Sequence, residues 1–458
     1  MTCLEGIIQE NNPKLQEQFE AFKKATTLAK MMLIAFRIGC LLAIIVVEKE
    51  LAQRADRPCQ WPKCPKCGSR IENKGREKRQ MQGIIGIVCW KRKVGYCPNG
   101  CKIGQIVPLD DELGIAPSQQ ASNDLKRACC ALAIFVPYGI SATLLNLLTG
   151  ITISGQTIWR WTQEAGKKTI EKLEKELNAL QTGEHVNEEA IDAETTALPL
   201  LIGGDGVMVP FRPEKGSTEG KTIWKEVKIG IFARLKQYVN TKKKLVTRLL
   251  RRRLVAVLGN KDEFAKRMEL ESKKQGIEKA ETVMWISDGG RGYWNVFKKV
   301  FSKFAIGILD FYHAAQNLWK AASICFDGRT NEAKKWFKNA RHLLRNGEVY
   351  KIIADISKML LFAPRSFSIE GRKALVNLCV YLSNHYLHVD YPTFKEMGLP
   401  IGSGMVESAC KWLIQQRFKC TGMRWSEDGF NNLLHLRLAW VNGRFDEIFG
   451  FDHTPGTL

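Results

Sequence analysis

"LPLLIGGDGVMVPF", residues 198–211, is an apolar run broken near its middle by Gly203, Gly204, Asp205 and Gly206. A short continuous run of Leu, Ile and Val predicts a buried strand. Asp205 is then an acid near a strand end, set between glycines with apolar residues on both sides. An unpaired buried charge is costly, and a bound cation would offset that cost.

Four further strand candidates follow: "IWKEVKIGIFARL" (223–235), "RRLVAVLG" (252–259), "ETVMWISDGG" (281–290) and "FAIGILDFYH" (304–313). A helical pattern, "NKDEFAKRMELESKKQG" (260–276), separates the third strand from the fourth. Three strands, a helix, a strand, a helix and a strand is the order of a ribonuclease-H-like α/β fold. The fourth strand ends on Asp288, again followed by glycine. Residues 314–396 return to helical periodicity, which predicts an all-α insertion.

Beyond the insertion lies "GLPIGSGMVESACKWLIQQRFKC" (398–420). Val406, Ala409, Cys410 and Leu413 have core spacing, while Lys411, Gln415 and Lys419 recur every fourth residue on another, basic face. Glu407 heads that face. It is either a helix-start acid favoured by the dipole or a metal ligand beside bound nucleic acid. Two hard cations need several shared carboxylate oxygens. Asp205, Asp288 and Glu407 supply them if the two strands are neighbours and the helix crosses their ends.

Lys plus Arg total 69 against 47 Asp plus Glu, a net charge of +22 that argues for a polyanionic partner, most simply nucleic acid, although ribosome association or an anionic membrane surface would also fit. A hydrophobic content of 45% excludes a disordered chain. "MMLIAFRIGCLLAIIVV" (31–47) is interrupted by Arg37, and Ile38–Val47 falls short of the ~20 apolar residues of a membrane span. A buried helix with no membrane contact is expected there, and no signal peptide is evident. The chain therefore reads as cytoplasmic, and its 14 cysteines as metal ligands or buried thiols rather than disulfides.

Cys64 and Cys67 in "CPKCGS", with Cys97 and Cys101 in "YCPNGC", are two close pairs separated by strand-like sequence such as "GIIGIVCWKRKVGYC". That pattern predicts a tetrahedral thiolate Zn²⁺ site in a zinc ribbon, structural because no position stays open. Cys59 and Cys89 are spare sulfurs that could substitute. Lys63, Lys66, Arg70, Lys74, Arg76, Lys78, Arg79, Lys91, Arg92 and Lys93 surround the cluster and suit phosphate contact. "ISATLLNLLTGITISGQTIWRWTQEAGKK" (140–168) reads as helix, turn near Gly150, and helix, so Gln156, Thr157, Arg160 and Lys167 could face DNA. "NTKKKLVTRLLRRRL" (240–254), with Arg251, Arg252 and Arg253, is a solvated hairpin or a DNA-backbone contact.

The expected order is a helical region (1–56), zinc ribbon (57–108), helical DNA-binding region (109–181) and linker (182–197). A catalytic domain (198–313 and 397–445) then encloses the insertion, with a short tail from 446 to 458.

"GGDGVMVPFRP", "ISDGGRGYW", "LDFYHAAQNLW" and "GLPIGSGMVESACKWLI…KCTGMRWSEDGFNNLLHLR" resemble bacterial insertion-sequence transposases of the ISKra type, relatives of the Mutator-like transposases. The resemblance covers most of residues 60–445. It implies that Asp205, Asp288 and Glu407 bind Mg²⁺ (or Mn²⁺) and that the chain cuts and joins DNA. Terminal inverted repeats and target DNA would be the partners, with at least a dimer for synapsis. It also implies a nucleoid-associated protein. Asp310-Phe-Tyr-His313 resembles the carboxylate/Cys-x-x-His signature of Mutator-like enzymes. Such a pair orients DNA or the active site, or is a strand-end acid with a histidine satisfied by backbone. In "GMRWSEDG", Arg424 would bind phosphate and Trp425 would stack on an unpaired base or belong to the core. A non-catalytic DNA-binding regulator and a structure-specific nuclease are the competing readings.

Overall fold

The computed structural model describes residues 12–452, except 214–215, 217–221, 240, 242, 244 and 363–366. Lys242 and Lys244 of the basic hairpin therefore lie outside the described residues. The chain forms two compact units, one running to Thr162 and taking in Phe449–Asp452, the other Gln163–Ile448.

In the first unit, α1 (Pro13–Lys23) is capped by the Asn12 side chain and packs on α2 (Leu28–Asp56). The expectation of a buried apolar helix is not met. Arg37 does not interrupt α2, which has 29 residues, and only 11% of its most apolar window is buried. Leu28, Met32, Leu33, Phe36, Val46 and Val47 are exposed. By length and composition this helix could cross a membrane.

Strands β1 (Glu72–Gly83) and β2 (Gly86–Tyr96) form an antiparallel hairpin. The sequence concealed β1, because "ENKGREKRQMQG" is charged on both faces and exposed along most of its length. β2 supplies the apolar side, where Val88 and Trp90 join Ala55, Met81 and Leu109. Arg92, grouped above with the phosphate-binding cations, is instead buried against Asp110 at 3.1 Å. Helices α3 (Asn123–Ala133) and α4 (Tyr138–Thr149) follow, and Gly150 at φ +76° ends α4 in the left-handed conformation. The next helix, α5 (Gly155–Thr182), carries the chain into the second unit.

There β3 (Leu200–Phe211), β4 (Ile223–Val239), β5 (Leu245–Leu258), β6 (Val283–Ser287) and β7 (Ala305–Leu309) make one mixed sheet. Its order is β5-β4-β3-β6-β7. β4 is antiparallel to both β3 and β5, whereas β3, β6 and β7 are mutually parallel. The five strand candidates read between residues 198 and 313 all lie in this sheet, and α6 (Lys261–Lys274) falls between β5 and β6. α6 starts at an Asn260 cap and presses Met268 onto Gly230, where a Cβ would lie 2.1 Å from the sulfur.

Between the last strand and Glu407 the chain folds as α7 (Phe311–Phe326), α8 (Asn331–Arg345), α9 (Val349–Phe362) and α10 (Ile369–Asn384). α11 (Gly404–Cys410) continues through a π turn, Lys411–Gln415, into Gln416–Phe418. Val406, Ala409, Cys410 and Leu413 are buried and Lys411, Gln415 and Lys419 exposed, as the spacing predicts. A π turn loosens the backbone ladder, and buried Arg437 takes up the slack by donating to Leu413 O at 2.9 Å and Trp412 O at 2.7 Å. Arg437 belongs to α12 (Glu427–Val441), and Asn442 just beyond it hydrogen-bonds both the N–H and the C=O of Leu254 on β5.

Candidate active site

Parallel register sets the site. Gly204 pairs with Ser287, and Ser287 with Leu309. The next residue on each strand is an acid: Asp205, Asp288 and Asp310. Neighbouring strands lie about 4.8 Å apart, so the three residues form a row across the sheet: Asp288 and Asp310 follow the ends of β6 and β7, whereas Asp205, expected near a strand end, lies midway along β3, which runs on to Phe211 against β4. α11 brings the fourth acid. Its Val406 packs onto Gly203, where a Cβ would meet Val406 Cγ2 at 2.5 Å. Cys410 approaches Asp205 Oδ2 at 3.8 Å.

The four acids are not equivalent. Asp310 is 1% exposed and its oxygens are fully engaged. Oδ1 accepts from Tyr312 N at 2.6 Å and His313 N at 3.1 Å, capping α7. Oδ2 accepts from Ser403 N at 2.7 Å and from the Ser403 hydroxyl, and His313 Nδ1 lies 3.1 Å from it. Burial acts to raise its pKa, but these donors outweigh it and hold Asp310 at about 2. Ser403 occupies the N-cap position of α11, yet its side chain serves Asp310 rather than the helix. His313 is raised to about 9, chiefly by its bond to Asp310 and further by Asp288 and Glu407.

Asp205 and Asp288 each accept one local backbone bond, from Gly206 N at 2.7 Å and Gly290 N at 3.0 Å. Burial raises the Asp205 carboxyl, and the Asp288 charge adds to that rise. Glu407 N donates to Ser403 O at 3.1 Å, while its carboxylate has no hydrogen-bond partner among the described residues. Donor atoms of Asp310, His313 and Glu407 lie within 4.8 Å of one another. Asp205 and Asp288 stand beside that group, close enough for both charges to act on Tyr293. The site thus concentrates negative charge around a single imidazole, an arrangement that a divalent cation would relieve.

Several neighbours went unread in the sequence. Tyr293 donates to Glu226 Oε1 at 3.1 Å, beside Gly206. The Tyr381 ring fills the place a Cβ on Gly289 would take, 1.9 Å from its Cε2. The glycine after Asp288 was the available signal, since it marks a close approach without naming the partner.

Among the other singled-out residues, Lys411, Arg424, Arg252 and Arg160 are exposed. Trp425 packs on Phe418 and Phe430, donates to Phe418 O at 3.0 Å, and pairs with the end of β3. Arg251 and Arg253 bind Glu189, at 3.0 and 2.7 Å, and Arg444 binds it too. Burial opposes the Glu189 charge, but the arginines hold it at about 2.

In the other unit, Cys64, Cys67, Cys97 and Cys101 have sulfurs within 4.8 Å of one another, with Cys67 and Cys97 at 3.4 Å. Tetrahedral zinc with bonds of about 2.3 Å places its sulfurs about 3.8 Å apart, so this group can hold such a metal. Cys67 and Cys64 sit on a turn closed by Gly68 at φ +74°, and Cys97 and Cys101 on one closed by Gly100 at φ +64°. Ser69 draws the Cys67 thiol down to about 6, while neighbouring thiols push Cys101 up to about 12. Four thiolates at this spacing need a cation to coexist. Cys59 and Cys89 lie outside the group.

No family model matches the chain. Over 379 residues it is 23% identical to the UPF0236 protein in vanSb 3'region of Streptococcus gallolyticus, spanning 81% of this chain and 74% of that protein. Its structure is similar to the Drosophila P element transposase strand transfer complex at a TM-score of 0.25 and 12% identity, over 75% of this chain and 84% of that one. A superposition that loose carries no argument, and the chain's own residues carry the functional reading.

Proposed function

We propose that the chain is a metal-dependent DNA transposase of the ISKra type, with a ribonuclease-H-like core and Asp205, Asp288 and Glu407 as its acids. One observation supports this reading: Asp205, Asp288 and Asp310 stand side by side across β3, β6 and β7, and α11, reached from beyond an all-α insertion, sets Val406 against Gly203 and Cys410 against Asp205. The sheet order, third-second-first-fourth-fifth with the second strand reversed, supports the fold. The net charge of +22 supports a DNA partner.

The donor set fits Mg²⁺ or Mn²⁺, because it offers hard carboxylate oxygens, of which Asp205 and Asp288 each give only one to a backbone N–H. Asp310 is spent, so Asp205, Asp288 and Glu407 are the ligands. Bound there, divalent ions supply activation of water, then of a DNA 3′-hydroxyl, and stabilisation of the leaving oxygen. Asp310 anchors both the start of α7 and the turn before Glu407, so it fixes where the glutamate sits. His313 keeps a proton beside the acids and faces the phosphate. Exposed Lys411 and Arg424 hold the DNA backbone near the cut. The four cysteines bind structural Zn²⁺, and that hairpin, with Arg160 on α5, reads the terminal inverted repeats. Pairing two DNA ends requires at least two copies of the chain.

The test incubates purified protein with DNA carrying the element's ends and Mg²⁺. Cleavage and joined products are expected from the parent, and loss of both from Asp205→Asn and Glu407→Gln. Variants as active as the parent would overturn the acid assignment. Cutting without joining would replace the transposase with a nuclease.

A further inference from the structure

We infer that the groove between α7 and α10 of the insertion holds unpaired DNA nucleotides beside the bond to be cut. This rests on the DNA reading above. The groove has a volume of about 420 Å³. Its inner end is Tyr381, whose ring lies against Gly289, the residue after Asp288. Asn317, also at that end, is one helical turn beyond His313 on α7. Burial raises the Tyr381 hydroxyl, and the Asp288 and Asp310 charges raise it further, so ring and carboxylates share one electrostatic neighbourhood.

The lining chemistry is that of a nucleotide strand. Lys320 and Lys373 present ammonium groups from the two walls, suited to phosphates. Asn317 and Asn377 offer both donors and acceptors, as base edges do. Tyr381 offers a ring face for stacking. Glu370 is the one acid of the lining and stands at the end away from the catalytic row.

Size excludes a duplex. α7 and α10 are in contact, with Cys325 Sγ 3.4 Å from Gly371 O and Phe326 packed on Phe367 just ahead of α10. Packed helices have axes about 8–10 Å apart, so no strand passes between them, and the groove along the line where they meet is too narrow for a duplex and open to a single strand lying on it. Along α7 the lining runs from Asn317 to Ile324, about 10 Å. With its bases stacked at the duplex rise of about 3.4 Å per nucleotide, a single strand places two or three residues there. Moving these bases out of the duplex frees the adjacent phosphate to enter the acidic row.

The experiment uses the full chain and the end duplex that it cuts, with 2-aminopurine placed at successive positions flanking the cleaved phosphate and Ca²⁺ replacing Mg²⁺. Fluorescence at two or three adjacent positions is expected to rise on binding, for the parent and for Asp288→Asn alike. Asn377→Leu and Lys373→Ala change exposed side chains, so the fold is retained, which melting curves check. Both should lose the rise and cut the intact duplex about tenfold more slowly, the weight of one base contact. A substrate mismatched at those positions should restore their rate. Normal cutting without any fluorescence rise, or variants that cut and unpair like the parent, would overturn the groove assignment alone. A chain that binds and cuts no end DNA would fail at the function itself.

Discussion

Gly203 fixes the distance between the sheet and the helix that carries Glu407. It precedes Asp205 by two residues, so both project from the same face of β3. A Cβ at Gly203 would meet Val406 Cγ2 at 2.5 Å and Ile286 O at 3.1 Å. The second contact is backbone and cannot yield, so α11 must lift. Gly203→Ala is expected to cost about 1–3 kcal/mol by overpacking and to weaken divalent-ion binding, because Glu407 follows Val406 directly. Gly404→Ala is the control, since a Cβ there meets nothing within 4 Å. Urea unfolding with a Mn²⁺ titration of each variant checks both effects. Equal behaviour of the two variants would separate Glu407 from the metal site. The glycines around Asp205 and Asp288 were legible signals because each marks a close approach. Asp310 gave no comparable glycine signal, and only the register revealed that it continues the row. Glu226 and Tyr293 were invisible because they meet across strands and helices far apart in sequence.

At the scale of elements, legibility followed composition. β3, β4, β6 and β7 are rich in Val, Ile and Leu over their buried lengths, and the period-free apolar run predicts such strands. β1 is a strand of Glu, Lys, Arg and Gln, held by its partner and by the cysteine turns rather than by an apolar face. The π turns at Phe297–Phe301 and Lys411–Gln415 leave no sequence mark either. The core beneath the cysteines is small: Cys64, Ile71 and Cys97, flanked by Trp61, Cys101, Ile103 and Ile106. So few buried side chains give the two turns little hold on each other, and a metal bound by the four sulfurs would contribute folding energy. Zinc stripped by a chelator under reducing conditions is expected to expose residues 61–106 to protease while the sheet of the second unit stays resistant. Cys97→Ser should do the same and lower the metal content. Purified protein with a zinc-to-chain ratio near zero and an intact hairpin would refute the ligand assignment.

Charge belongs to the whole molecule, but the structure divides it into spent and available cations. Arg92 is consumed by Asp110, Lys274 by Glu176, and Arg253 and Arg444 by Glu189. Arg234, Arg417 and Arg437 are at most 2% exposed. These arginines stabilise the fold and add nothing direct to a DNA surface. Lys411, Arg424, Arg252 and Arg160 are exposed, so the polyanion should release counterions through them. The logarithm of DNA affinity falls with the logarithm of salt at a slope of about 0.9 for each phosphate neutralised. Lys411→Ala and Arg424→Ala should each lower that slope by about one, uniformly across DNA sequences. Arg253→Ala should leave the slope unchanged and instead destabilise the fold, because Glu189 loses part of its compensation. Fluorescence anisotropy of labelled duplex across about 50–200 mM salt measures the slopes, and thermal unfolding measures the stability. A slope carried by Arg253 rather than Lys411 would move the DNA surface away from the acidic row, and the catalytic reading of Glu407 would lose its substrate.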